Sequence, residues 1–300
     1  MPNRILALVA VPLAALALTA CGDDDDGGDA AEGTTTTEAT EEAPPSRIVS
    51  LAPTPTEMLF AIGAGDQVVA VDAQSNYPED VPTTDLSGFE PNVEAIVGYE
   101  PDLVVLTDDV GDVVAGLEAA DVETLLLPAA STLDDSYAQL EQLGEATGHE
   151  DEAADVVSDM QGDIEDITAS LPEPEGEAPT YYHELDDTLF TATSETFIGE
   201  VYGLVGLENI ADAVDDGSGY PQLSAEYLIE QNPDLIFLAD TKCCGQSAET
   251  VAARPGWDQL DAVTQDHVVE LDDDIASRWG PRVVDLLRTV ADEVAQVPAG

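Results

Sequence analysis

Asn92-Val-Glu-Ala-Ile-Val-Gly-Tyr-Glu-Pro-Asp-Leu-Val-Val-Leu-Thr-Asp108 aligns without a gap to Ser224-Ala-Glu-Tyr-Leu-Ile-Glu-Gln-Asn-Pro-Asp-Leu-Ile-Phe-Leu-Ala-Asp240. Glu94 falls on Glu226, Pro101 on Pro233, Asp102 on Asp234, Leu103 on Leu235, Leu106 on Leu238 and Asp108 on Asp240. Each copy reads as a short capped helix, a Pro-Asp turn and a buried strand. A second echo sets Gly63 and its flanks against Gly206 in Leu204-Val-Gly-Leu-Glu-Asn-Ile210. Two echoes in the same order imply a duplicated lobe.

Outward from the repeat, Arg47 to Leu51 reads as a short buried strand and Gln67 to Val71 as another. Between them Thr54-Pro55-Thr56-Glu57 predicts a helix start with a capping box and an early proline, the helix running to about Ile62 and ending at Gly63. Between the two copies, residues 150–171 place Ala153, Val156, Val157, Met160, Ile164, Ile167 and Leu171 on one stripe. At 1.5 Å per residue that helix is about 33 Å long. Pro172 to Gly176 is a linker, and Thr180 to Glu184 restarts the strand pattern. The expected fold is α/β: two Rossmann-like lobes of duplicated topology, at 47–149 and 172–300, joined by one long helix at 150–171, with a ligand cleft between the lobes.

The N-terminal end is of another kind. Residues 1–20 carry Arg4, no acid and an apolar run from Ile5 to Leu18, a secretory signal peptide too short to span a bilayer. Its end, Leu18-Thr19-Ala20-Cys21, resembles the bacterial lipobox, in which Cys21 carries the lipid and becomes the new N-terminus. Diacylation suffices for stable anchoring in a membrane. Residues 22–46 hold nine acids and no hydrophobic periodicity, so 21–46 is an acidic tether with a reach of roughly 25 to 30 Å.

The 300 residues include 64 Asp and Glu against seven Lys and Arg, a formal net charge of -57. Such a chain repels polyphosphate, which excludes nucleic-acid binding through a basic face. An apolar fraction of 44% is enough for a real core. Beyond the signal peptide the cations are Arg47, Lys242, Arg254, Arg278, Arg282 and Arg288, five of them past residue 240. No nucleophile-elbow, zinc-protease or phosphate-loop motif occurs, and His149, His183 and His267 are scattered, so neither an enzyme nor a metal-ion site is expected.

Arg47 to Glu57, Asn76-Tyr77-Pro78, the Glu94 helix with its Pro101-Asp102-Leu103 strand, and Asp274-Ile-Ala-Ser-Arg-Trp-Gly-Pro-Arg282 resemble the helical-backbone class of ABC importer solute-binding proteins, in the branch that carries cobalamin and ferric siderophores. The resemblance covers about residues 47 to 295. It implies an extracytoplasmic, membrane-anchored, monomeric protein with a stiff interlobe helix. That protein would take a small metal chelate, with no cofactor of its own, to an ABC permease dimer and its ATPase. In that family one surface Glu on each lobe docks onto the permease, and the matching positions are Glu94 and Glu226. Both also sit in a first helical turn, where the helix dipole favours an acid.

The same resemblance places Tyr77, Phe89 and Tyr220 along the cleft, aromatic types suited to a flat, partly apolar chelate. Arg278 and Trp279 lie in the matching C-terminal motif and are also expected among the ligand-binding residues. Arg278 is open to two readings, a cation at the cleft mouth or a partner of Asp272 or Asp274. Arg254-Pro-Gly-Trp257 reads as a structural turn. Cys243 and Cys244 have only each other as intrachain partners once Cys21 is lipidated. A vicinal disulfide, free thiols, an intermolecular bridge and contact with the ligand's metal all remain open. The scarcity of cations favours a neutral or weakly charged corrinoid such as cobalamin, with a ferric siderophore as the alternative.

Overall fold

The structure, a computed structural model, describes residues 43–171 and 176–297. The expected signal peptide, Cys21, most of the tether and most of the linker after Leu171 lie outside the described residues. In chain order the first part carries β1 (Ile48–Ser50), α1 (Pro53–Ala61), β2 (Val68–Val71), α2 (Val93–Val97), β3 (Leu103–Leu106), α3 (Val113–Glu118), β4 (Glu123–Leu126) and α4 (Leu133–Thr147). The long α5 (Glu150–Ser170) follows. After it come β5 (Thr180–Glu184), α6 (Phe197–Leu204), β6 (Glu208–Asn209), α7 (Ala225–Gln231), β7 (Leu235–Leu238), α8 (Thr241–Cys244) and α9 (Ala248–Ala252). The chain closes with α10 (Asp261–Thr264), β8 (Val268–Glu270), α11 (Asp273–Ala276) and α12 (Val283–Val294).

The strands form two four-stranded sheets of the same topology, ordered β2-β1-β3-β4 and β6-β5-β7-β8, and every pair is parallel. Duplication is therefore seen in the fold as well as in the repeat. The aligned Pro-Asp turn has one physical task in both lobes. Asp102 accepts hydrogen bonds from the Ser46 and Arg47 amides at 2.9 and 3.0 Å, and Asp234 accepts from the Thr180 amide at 2.8 Å. Each carboxylate thus fastens the start of its lobe's central strand beside the strand that follows the turn. Gly63 and Gly206, the second echo, both take left-handed conformations, at φ 85° and 77°, where a Cβ is strained.

The start of α1 differs from expectation. Its N-cap is Ala52, with no side-chain cap, and the helix opens at Pro53. No capping box forms at Thr54 because the Glu57 carboxylate turns away from the helix end to meet Arg278 and Arg282.

On α5, Ala153, Val157 and Met160 are buried, while Val156, Ile164, Ile167 and Leu171 pack partly buried against the same core. That core is continuous across both sheets, running from Ile48, Met58 and Leu59 through Met160 to Phe237 and Leu287. Each lobe adds a smaller core of its own, around Ile96 and Val104 in the first and Tyr182 and Trp257 in the second. A packed apolar core resists deformation, so the lobes are coupled stiffly rather than hinged on a bare linker.

Residues 43–300 hold 55 of the acids and six cations. Self-repulsion on that scale destabilises the compact state and is screened by salt. The melting temperature should therefore rise by roughly 10 °C between about 0.05 and 2 M NaCl, as followed by circular dichroism. A melting temperature independent of salt would contradict this electrostatic account.

Candidate functional site

In open parallel sheets, ligands sit beyond the carboxyl ends of the strands. Here those ends bring loops of the two lobes together at two places. The loop after β2 meets the segment after β8, where the Asn76 amide donates to Asp274 at 3.1 Å. The loop after β4 meets loops after β5 and β6 around a cavity of about 470 Å3, lined in part by Ala130, Ser131, Thr196, Phe197, Gly219 and Tyr220. β2 and β4 correspond to β6 and β8 in the duplicated lobe, so the two contacts are equivalent by the repeat. They mark the two ends of one interlobe cleft.

Tyr77, Phe89 and Tyr220 are 45%, 77% and 47% exposed, so each leaves an apolar face in water. The Arg282 guanidinium lies 4.1 Å from the centre of the Tyr77 ring, which orients it by a cation–π contact. Phe89 follows Gly88, where a Cβ would come within 2.2 Å of the Leu51 carbonyl oxygen. Only glycine lets this loop lie against the end of β1, and the Ser87 hydroxyl accepts from the Phe89 and Glu90 amides. Tyr220 belongs to a segment laced to residues 189–193 by backbone bonds from Thr193 to Gly219, Thr191 to Pro221 and Leu223 to Leu189. The same lacing presents Phe190, 39% exposed, which sequence reasoning missed. Its signal was a large apolar residue just past the acidic turn at the carboxyl end of β5.

The cations are bonded within the protein. Arg278 donates to Glu57 at 2.6 Å, to Asn76 at 2.9 Å and to Asp274 at 2.6 Å. Of its two readings, pairing is the one realised, and it is not a free charge at the cleft mouth. Arg282 also binds Glu57, and Lys242 bridges Asp272 and Asp274 at 2.6 and 3.0 Å. Arg254 forms a bidentate pair with Glu184 while its guanidinium stacks on Trp257. Arg47 donates to the Tyr99 and Glu100 carbonyls, and Arg288 pairs with Asp285. Every Lys and Arg among the described residues is thus committed to the protein itself. Burial works against the charge on Asp274, but the hydrogen bond from Lys242 and the field of Arg278 outweigh it and hold the carboxyl below its ordinary range.

Trp279 is half-buried. Its indole donates to Gln139 at 2.8 Å and its carbonyl accepts from the Ser136 hydroxyl, so it ties the C-terminal segment to α4. Glu94 and Glu226 are exposed in the first turns of α2 and α7. Asn92 and Ser224 supply the helix caps, accepting from Ala95 and Tyr227 at 3.0 and 3.2 Å. Neither Glu is engaged in an ion pair or hydrogen bond among the described residues.

Cys243 and Cys244 are placed as a vicinal disulfide on the exposed α8. His149 stands at the start of α5, His267 is nearly buried, and His183 is buried against Tyr202, its imidazole pushed down to about 4 by burial. No group of three or more His, Cys, Asp or Glu placed to hold a metal ion occurs among the described residues.

The periplasmic binding protein family matches residues 48–275. An ABC transporter substrate-binding lipoprotein of Bacillus subtilis is 30% identical over 258 residues, 83% of this chain and 80% of its own. A cobalamin-binding protein of Halobacterium salinarum is 29% identical over 260 residues, 84% of this chain and 70% of its own. Among solved structures, the periplasmic vitamin B12 binding protein of Vibrio cholerae matches with a TM-score of 0.67 at 26% identity, over 85% of this chain and 99% of that one. With its two duplicated parallel lobes and interlobe cleft, the chain belongs to the periplasmic binding protein family and is a solute-binding protein, not an enzyme.

Proposed function

We propose that this protein is the substrate-binding lipoprotein of an ABC importer, anchored outside the cell membrane through Cys21, and that its cargo is an uncharged metal chelate of corrinoid type. The observation that carries the reading is a contrast between two sets of side chains: Tyr77, Phe89, Phe190 and Tyr220 remain substantially exposed, while Arg278, Arg282, Lys242 and Arg254 are all paired within the protein. A strongly anionic chelate would have to strip a carboxylate from one of these cations, leaving a charge unpaired at a cost of several kcal/mol. A neutral, flat chelate needs only aromatic contact and a few hydrogen bonds. The names of the relatives in Halobacterium salinarum and Vibrio cholerae support the same class of ligand.

In this reading Arg282 orients Tyr77, while Arg278 and Trp279 brace the cleft without touching the cargo. Glu94 and Glu226, exposed and equivalent in the two lobes, meet basic residues of a two-fold permease that works with its ATPase. The protein acts as a monomer, and the tether leaves it free to reach that partner. Charge complementarity across this contact mainly speeds and orients the encounter.

Purified residues 22–300 should bind cobalamin or cobinamide saturably at micromolar concentration in a calorimetric titration. Tyr77→Ala and Tyr220→Ala should each weaken that binding roughly tenfold. Binding of a ferric siderophore with none of either corrinoid would overturn the ligand assignment. The double variant Glu94→Ala/Glu226→Ala should abolish uptake in cells and leave ligand affinity within about twofold of the parent. Loss of ligand affinity in that variant would count against the docking role.

A further inference from the structure

We propose that Asp240 is a proton-operated switch beneath α8, protonated while the helix is seated and ionised when it loosens. The case begins with the repeat. Asp108, its equivalent, is exposed to solvent. Asp240 is fully buried, and neither carboxyl oxygen has a hydrogen-bond partner. The duplication has carried a carboxyl from solvent into the floor of the second lobe.

The one nearby counter-charge, Arg254, is bonded elsewhere. Glu184, on the neighbouring β5 and also fully buried, takes both ends of the Arg254 guanidinium, whose remaining bond goes to Gln246 at 2.8 Å. The Tyr182 hydroxyl, also on β5, donates to Glu184 at 3.3 Å and not to Asp240. Lys242, on α8 itself, is spent on Asp272 and Asp274. Asp273, on α11, adds another nearby negative charge. One guanidinium therefore faces two buried carboxyls, and a buried carboxyl without a partner takes a proton rather than remain charged. Burial first, and then the charge of Glu184, push Asp240 up to about 7, with Arg254 opposing.

The position of Asp240 makes its ionisation matter to α8. Its backbone carbonyl accepts from the amides of Cys244 at 3.2 Å and Gln246 at 3.3 Å, closing the single turn of the helix. Its side chain does not cap that turn. Asp273 does so instead, accepting from the amides of Thr241, Lys242 and Cys243 at 2.8 to 3.0 Å. Ionised Asp240 would repel both Glu184 and Asp273, and the exposed four-residue helix between them is the part that can yield. Lys242 connects α8 to Asp274, which takes Asn76 of the first lobe and Arg278, so loosening α8 also slackens one end of the cleft.

The sign follows from linkage. The seated form binds the Asp240 proton up to about pH 7, whereas an opened form, with water at the carboxyl, releases it near its ordinary value. Protection of α8 therefore falls as pH rises from about 4 to about 7 and levels above that. Neither His149 nor His267 forms a hydrogen bond or ion pair with Asp240 or α8 among the described residues.

The test is hydrogen exchange read by mass spectrometry on the mature chain, with protection factors for residues 241–246 corrected for intrinsic exchange. From about pH 5.5 to about pH 8 the parent should lose about thirtyfold in protection, with the slope flattening near 7. Asp240→Asn, neutral at every pH, should be flat over the same range. Glu184→Gln, which frees Arg254 to pair with Asp240, should move the step below about pH 6. A flat parent, a step that persists in Asp240→Asn, or a step unmoved in Glu184→Gln would overturn the proposal.

Discussion

Glu57 is the carboxylate on which the arrangement of the lobes depends. It sits in α1 of the first lobe, nearly fully buried, and holds both Arg278 and Arg282 from the C-terminal segment. Two guanidiniums on one carboxylate leave a positive excess, which Asp274 and the Tyr77 ring absorb. Removing one member of such a cluster strands the others, at about 3 to 5 kcal/mol, so its members are mutually required. The cluster fixes the C-terminal segment against α1, and α12 can then lay Val283, Leu286, Leu287 and Val290 into the shared core. It also sets the Arg282 guanidinium against the Tyr77 ring. One interaction thus determines both how the lobes are joined and what one end of the cleft presents.

This arrangement follows from scarcity. With 55 acids and six cations in the folded part, each cation is worth more as a structural partner than as a ligand contact. The six are not spread to neutralise the surface. Arg254, Arg278 and Arg282 go to carboxylates that are themselves buried or half-buried, the places where an unpaired negative charge costs most. The surface acids are left to water and salt.

Much of the fold was legible because its signals are local. The repeat of Glu94 to Asp108 in Glu226 to Asp240 required two similar strand-centred lobes, and the stripe from Ala153 to Leu171 required a helix with one apolar face. The start of α1 was misread for the opposite reason: Thr54 and Glu57 have capping-box spacing, but the competing partners lie more than 220 residues away. No window of sequence reveals that Glu57 is wanted by two arginines. The same limit applied to Arg278, whose two readings looked equivalent until three acceptors converged on it, and to Phe190, whose segment is held by backbone bonds to a distant one.

The repeat is most informative where it fails to hold. Asp102 and Asp234 kept one task in both lobes, fastening a strand start, so their equivalence is structural. Asp108 and Asp240 hold equivalent positions but opposite environments. The cause lies one strand over: the register that sets Ile48 beside Leu103 and Tyr181 beside Leu235 makes Leu51 the counterpart of Glu184. Where the first lobe has an apolar leucine, the second has a carboxylate, and Arg254 is the partner that keeps it buried. Glu184 and Gln246 take the hydrogen bonds of that arginine, which leaves Asp240 without a bonded partner. A single exchange of leucine-type for acid at one strand end therefore accounts for the Arg254 turn and its stacking on Trp257, and for the unpartnered carboxyl beneath α8. The two lobes share a fold because their strand anchors agree, and they differ chemically because their strand ends do not.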